Sequence, residues 1–154
     1  MNTADLRPAD LRPAVVVVRS PLHPTIMWVP ITCLAGTLLT DLAYYGTAEM
    51  MWADFSAWLV TVGVILGWLS CIAGIVDLVG HRYTMAPVPG WAYAIGIAVV
   101  MILATFNMLV HTRDAWTSVV PWGLTLSAIT VVVLIFTTAV GWMAVYRHGV
   151  EVIP

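Results

Sequence analysis

Four apolar runs set the pattern of the chain, at about 25–45, 57–79, 90–111 and 122–146, with short polar stretches between them. Each is at least about 20 residues long, the length a helix needs to cross a ~30 Å hydrocarbon core. Inside the runs, small and polar residues recur at steps of three and four, which return to one helix face. In the second run these positions are Gly63, Gly67, Ser70, Gly74, Asp77 and then His81 just beyond. The first run gives Cys33, Thr37, Thr40, Asp41 and Tyr44. The third gives Tyr93, Gly96, Val100, Ala104, Asn107 and His111, and the fourth Gly123, Ser127, Thr130, Thr137 and Gly141. A seam of small residues flanked by Val, Ile, Leu and Trp packs against other helices and turns its large side chains to lipid.

The pattern predicts an all-α integral membrane four-helix bundle with up-down-up-down order. A single transmembrane domain occupies 21–150, between an N-terminal tail (1–20) and a short tail (151–154). Within the first tail the pentad Ala-Asp-Leu-Arg-Pro occurs twice, and proline at every fifth residue excludes a helix there. Val15 to Val18 is too short for a signal-peptide core, so the first span is expected to do the targeting. Pro30 predicts a kink near Ile26. The connection from Gly46 to Ser56 reads as an interfacial half-turn or short surface helix.

Composition agrees with the pattern. Of the 154 residues, 61% are hydrophobic and 9% charged, with a mean hydropathy of +0.95, whereas soluble domains carry about 25% charged residues. Six arginines, no lysine and a net charge of −2 exclude a nucleic-acid partner. Arg7, Arg12, Arg19, Arg82 and Arg147 fall on one side of the expected frame and Arg113 on the other. By the positive-inside bias both termini are cytoplasmic, in a multi-pass protein of the inner (plasma) membrane. Trp28, Trp91 and Trp142 mark that interface, Trp52, Trp58, Trp116 and Trp122 the opposite one, and Trp68 lies mid-span. Cys33 and Cys71 lie inside apolar runs without metal-knuckle spacing and read as small core residues.

The frame sorts the polar groups into two layers. The cytoplasmic layer holds His23, Asp77, His81, Arg82, Arg147 and His148; the external layer holds Asp41, Asn107, His111, Arg113 and Asp114. Two imidazoles at similar depth, His23 and His148, with His81 nearby, supply what a b-type haem needs; the alternative is that they solvate helix ends. Asp77 reads as an ion-pair partner of Arg82 or Arg147, or as a proton or cation site. Asp41 has the same two readings, with His111 or Arg113 as partner, and Asn107 as an interhelical hydrogen-bond donor. No His-x3-His or Glu-x-x-His pair, nucleophile–base pair, phosphate loop or CxxCH motif occurs, which points away from an enzyme or a protein-held metal.

One family shares these landmarks. Leu22-His23-Pro24, Pro30, Asp41, Gly74-Ile75-Val76-Asp77, Asn107, Gly141-Trp142 and Tyr146-Arg147-His148-Gly149-Val150 resemble the small four-helix membrane proteins of domain-of-unknown-function family 2231. The resemblance covers Pro21 to Val150. It implies a four-helix membrane domain and, since some members are fused to Rieske-type iron–sulfur domains, work near electron transport. Two histidines frequent in the family are replaced here, by Trp28 and Tyr93. The expected function is an integral membrane subunit or accessory protein of a respiratory or other redox complex. The alternatives are a b-type haem electron carrier using His23 and His148, and a small proton- or cation-linked transporter using Asp77 and Asp41.

Overall fold

In a computed structural model, described here for residues 22–79, 89–113 and 118–147, the chain forms four long helices. They are α1 (Leu22–Thr47), α2 (Met50–Val79), α3 (Pro89–His111) and α4 (Leu124–Arg147). All four are long and apolar enough to cross a membrane, and no strand occurs among the described residues. α1 packs mainly on α2 and α3 on α4, and the α2–α3 and α1–α4 contacts close the ring.

The helix faces follow the three/four spacing. On α2 the buried positions are Ser56, Val60, Gly63, Val64, Gly67, Ser70 and Asp77. The hydrophobic core is small in volume: Met27, Leu34, Val60, Val64, Ile97, Val100, Met101, Ala104 and Leu134. Large side chains lie outside; Trp58 is 71% and Phe136 69% exposed. Small and polar groups thus line the interior while bulky apolar groups face outward, as lipid rather than water demands. Three glycines allow the close approach. A Cβ on Gly67 would sit 2.6 Å from Met101 Sδ, one on Gly96 2.4 Å from Thr137 Oγ1, and one on Gly141 2.9 Å from the Tyr93 ring. At mid-span Trp68 Nε1 donates to Thr105 Oγ1 across the α2–α3 seam at 3.2 Å.

The first connection is shorter than the sequence pattern suggests. Ala48 and Glu49 alone separate α1 from α2, and Met50 to Ser56 form the first two turns of α2 rather than a surface segment. No proline or glycine interrupts 50–56, so the helix runs unbroken through this segment. The turn is closed by Ala48 N–H donating to Tyr44 O at 2.7 Å. Ala48 itself adopts the left-handed conformation, with φ of 55°. With 30 residues, α2 is about 45 Å long and overshoots the apolar core. α1 runs through Pro30, which is fully buried. Before α4, a wide helical turn at Ser118–Gly123 is broken by extended backbone at Val120 (φ −118°, ψ 127°), and the Val120–Pro121 bond is cis.

Candidate functional site

Where α1 and α3 end and α2 and α4 begin, one buried polar cluster joins all four helices. Asp41 comes from α1, Ser56 from α2, Asn107 and His111 from α3, and Ser127 from α4. Each occupies the seam face of its helix, so packing the seams together brings the five side chains to one place. Asp41 and Ser56 are fully buried, and Asn107, Ser127 and His111 are nearly so. Asp41 lies six residues before the end of α1, and Ser56 six after the start of α2. The cluster therefore sits about 9 Å in from the bundle end by helical rise.

The hydrogen bonds place one of the imidazole protons. His111 Nδ1 lies 3.0 Å from the Asn107 carbonyl oxygen, which only accepts, so Nδ1 carries a proton. His111 Nε2 lies 2.9 Å from Asp41 Oδ1 and 3.2 Å from Ser56 Oγ. Ser56 donates its hydroxyl proton to the same Asp41 oxygen, and Ser127 donates to Asp41 Oδ2. Three groups thus converge on Asp41. A single proton between His111 Nε2 and Asp41 Oδ1 makes the pair neutral as a unit, whichever of the two atoms holds it. Asn107 Nδ2 donates to Ser127 Oγ at 2.8 Å, which leaves Ser127 free to pass its own proton to Asp41. Of the cluster atoms only Asn107 Oδ1 has no hydrogen-bond partner among the described residues.

This is not the geometry of a hydrolytic triad. In a triad the serine and the carboxylate sit on opposite imidazole nitrogens; here Ser56 and Asp41 meet the same one. Ser127 is the element whose loss separates the hydrogen bonding from the Asp41–His111 pair. Ser127→Ala removes the donor to Asp41 Oδ2 and the acceptor of Asn107 Nδ2 together. The expected cost is about 1–3 kcal/mol, read as a lower midpoint of thermal unfolding in detergent, with helicity at low temperature unchanged.

The structure therefore brings together Asp41, Asn107 and His111 of the external layer. Arg113 is exposed, and Asp114 lies outside the described residues. Ser56 was not among the sequence candidates, because the second span was read as starting at Ala57. Its signal was present: it lies seven residues before Gly63, on the same face. At the other end, Asp77 is fully buried and partnered. His81, Arg82 and His148 lie outside the described residues, as do the side chains of His23 and Arg147, so the haem and ion-pair readings there fall outside them too. Among the described residues, no group of three or more His, Cys, Asp or Glu side chains could hold a metal ion.

Fold and cluster together define a four-helix integral membrane bundle tied at one end by a buried Asp41–His111 hydrogen-bonded pair. The family model described as "Predicted membrane protein (DUF2231)" matches residues 19–154, and the chain belongs to that family. No curated protein and no solved structure matches it.

Proposed function

We infer that the protein is a non-catalytic integral membrane subunit or accessory protein that works beside a respiratory or other redox complex in the plasma membrane, with both termini cytoplasmic. The observation that carries the non-catalytic part is how the cluster spends its groups. Both oxygens of Asp41 and both nitrogens of His111 are engaged by neighbours in the same cluster, so neither is held ready for a substrate. Beneath the cluster the interior is closed by Val60, Val64, Val100, Met101 and Ala104, which weighs against a continuous polar route for transport. The redox part rests on the Rieske-type fusions that the family resemblance brings in, and the orientation on the arginine distribution.

The test is purification of the tagged, full chain from native membranes in a mild detergent at its natural expression level. The expected result is co-elution with a larger assembly that contains an iron–sulfur or haem protein, identified by mass spectrometry and by its visible absorption. Elution of the chain alone, at every expression level and in every mild detergent, overturns the reading.

A further inference from the structure

We propose that the Asp41–His111 pair is a proton-operated clasp, which holds the four helix ends together only while the pair carries its full complement of protons. Three observations lead to it. First, the pair is buried and electrically neutral as a unit. Nδ1 donates to the Asn107 carbonyl, Nε2 and Asp41 Oδ1 share a proton, and Ser56 and Ser127 donate to the Asp41 oxygens. Second, these bonds engage side chains of all four helices, one set at one depth. Third, the cluster lies about 9 Å from one bundle end, with the apolar core between it and the other. The near end is the shorter route for a proton.

The proton balance gives the direction of each change. Removing the proton shared by Nε2 and Oδ1 leaves a neutral imidazole beside a carboxylate, a buried net charge of −1. Adding one more leaves an imidazolium beside a neutral carboxyl group, a net +1. A buried uncompensated charge is costly in either sign, so the clasp loosens on both sides of its working range. Among the described residues no other buried charged group stands by to compensate. On α1 the neighbouring titratable side chains are Tyr44, half-buried, and Tyr45, exposed. On α2, Glu49 precedes the helix and Asp54 lies near its start, both exposed. On α3, Arg113 follows the helix and is exposed. The described stretch from Ser118 to Ser127 carries no titratable residue. Asn107 Oδ1, buried and without a partner among the described residues, is an acceptor positioned to take a donor when the cluster rearranges. If the termini are cytoplasmic, the clasp reads the proton concentration outside the membrane.

The experiment compares the full chain with two single variants and their double combination, in detergent micelles and in nanodiscs. Thermal unfolding is followed by tryptophan fluorescence between pH 4 and 10. The expected native profile is a bell, with the midpoint falling by about 10 °C on each limb. The sign for each variant follows from the charge it leaves. Asp41→Asn leaves only the imidazole, so its stability is present when His111 is neutral and is lost as pH falls. His111→Gln keeps a donor toward Asp41 but leaves only the carboxylate, so its stability is present when Asp41 is protonated and is lost as pH rises. The two variants therefore slope in opposite directions, and the double variant is flat. In ¹⁵N-histidine spectra of the native chain, the ring resonances of one imidazole are expected to shift together with one limb of the bell. A flat native profile overturns the proposal, and so do variants with the same slope as each other. If both single variants fail to fold, a native bell with no matching imidazole transition overturns it as well.

Discussion

Replacing Asp41 by alanine is expected to destabilise the bundle by about 3–5 kcal/mol, the cost of stripping one partner from a buried pair. The size follows from what is left behind. His111 loses the partner of Nε2 at 2.9 Å, while Ser56 and Ser127 lose the acceptor of their hydroxyl protons. Asn107 and Ser127 then have no anchor in Asp41 for their own bond. These groups are buried, and a buried donor stripped of its acceptor keeps its desolvation cost. A neutral imidazole keeps its Nδ1 donation to the Asn107 carbonyl and leaves Nε2 without Asp41 as its partner. The check is the midpoint of thermal unfolding in detergent, expected to fall by about 10 °C for a chain of this size. Ser127→Ala falls by less, because the Asp41–His111 pair survives it. An Asp41→Ala midpoint equal to the native one would mean the cluster contributes nothing to holding the helices together.

The architecture was legible because lipid imposes a simple rule on sequence. Every bulky apolar residue is acceptable outside, so the small and polar positions alone reveal the inward face. Gly63, Gly67 and Ser70 on α2, and Val100, Ala104 and Asn107 on α3, show that face by spacing, and the structure places them in the helix contacts. What spacing does not contain is which seam meets which. The carboxylate of Asp41 could be set opposite either His111 or Arg113 on the same grounds; burial chooses His111, because the seam face of α3 ends there and Arg113 lies past the helix, in solvent. Ser56 escaped for a different reason. The polar residues around it, Asp54 and Glu49, look like a surface connection, yet the segment has no residue that stops a helix. α2 simply begins before its apolar run does. Of the layer around His23 and His148, Asp77 alone has a described side chain, whereas the opposite layer is the one built in detail.

Gly96→Leu is expected to force α3 and α4 apart, and it is the substitution by which the glycine seam can be tested most sharply. Even a methyl group at Gly96 meets Thr137 at its Oγ1 (2.4 Å), Cγ2 (2.7 Å) and Cβ (3.0 Å). Threonine is branched at Cβ, and its hydroxyl is already bonded to the Val133 carbonyl at 2.8 Å, so no rotamer removes the clash. The Cβ moves only if the α4 backbone moves. Gly96→Ala should therefore cost about 1–3 kcal/mol, the usual range for overpacking, and Gly96→Leu more. Gly67→Ala provides the contrast. Its new methyl meets the Sδ and Cε of Met101, the mobile end of an unbranched side chain that refills space readily, so its cost should be smaller. Gly46→Ala meets nothing within 4 Å and should leave the midpoint where it is, apart from a small gain in helix propensity. The expected order of thermal midpoints is Gly46→Ala, then Gly67→Ala, then Gly96→Ala, then Gly96→Leu. Because Asn107 and Ser127 tie α3 to α4 about 16 Å farther along α3, the Gly96→Leu chain should also lose part of the stability contributed by Ser127. Adding Ser127→Ala to it should then cost less than the same change in the native chain. Equal costs in the two backgrounds would show that α3 and α4 separate only locally at Gly96 and stay closed at the cluster.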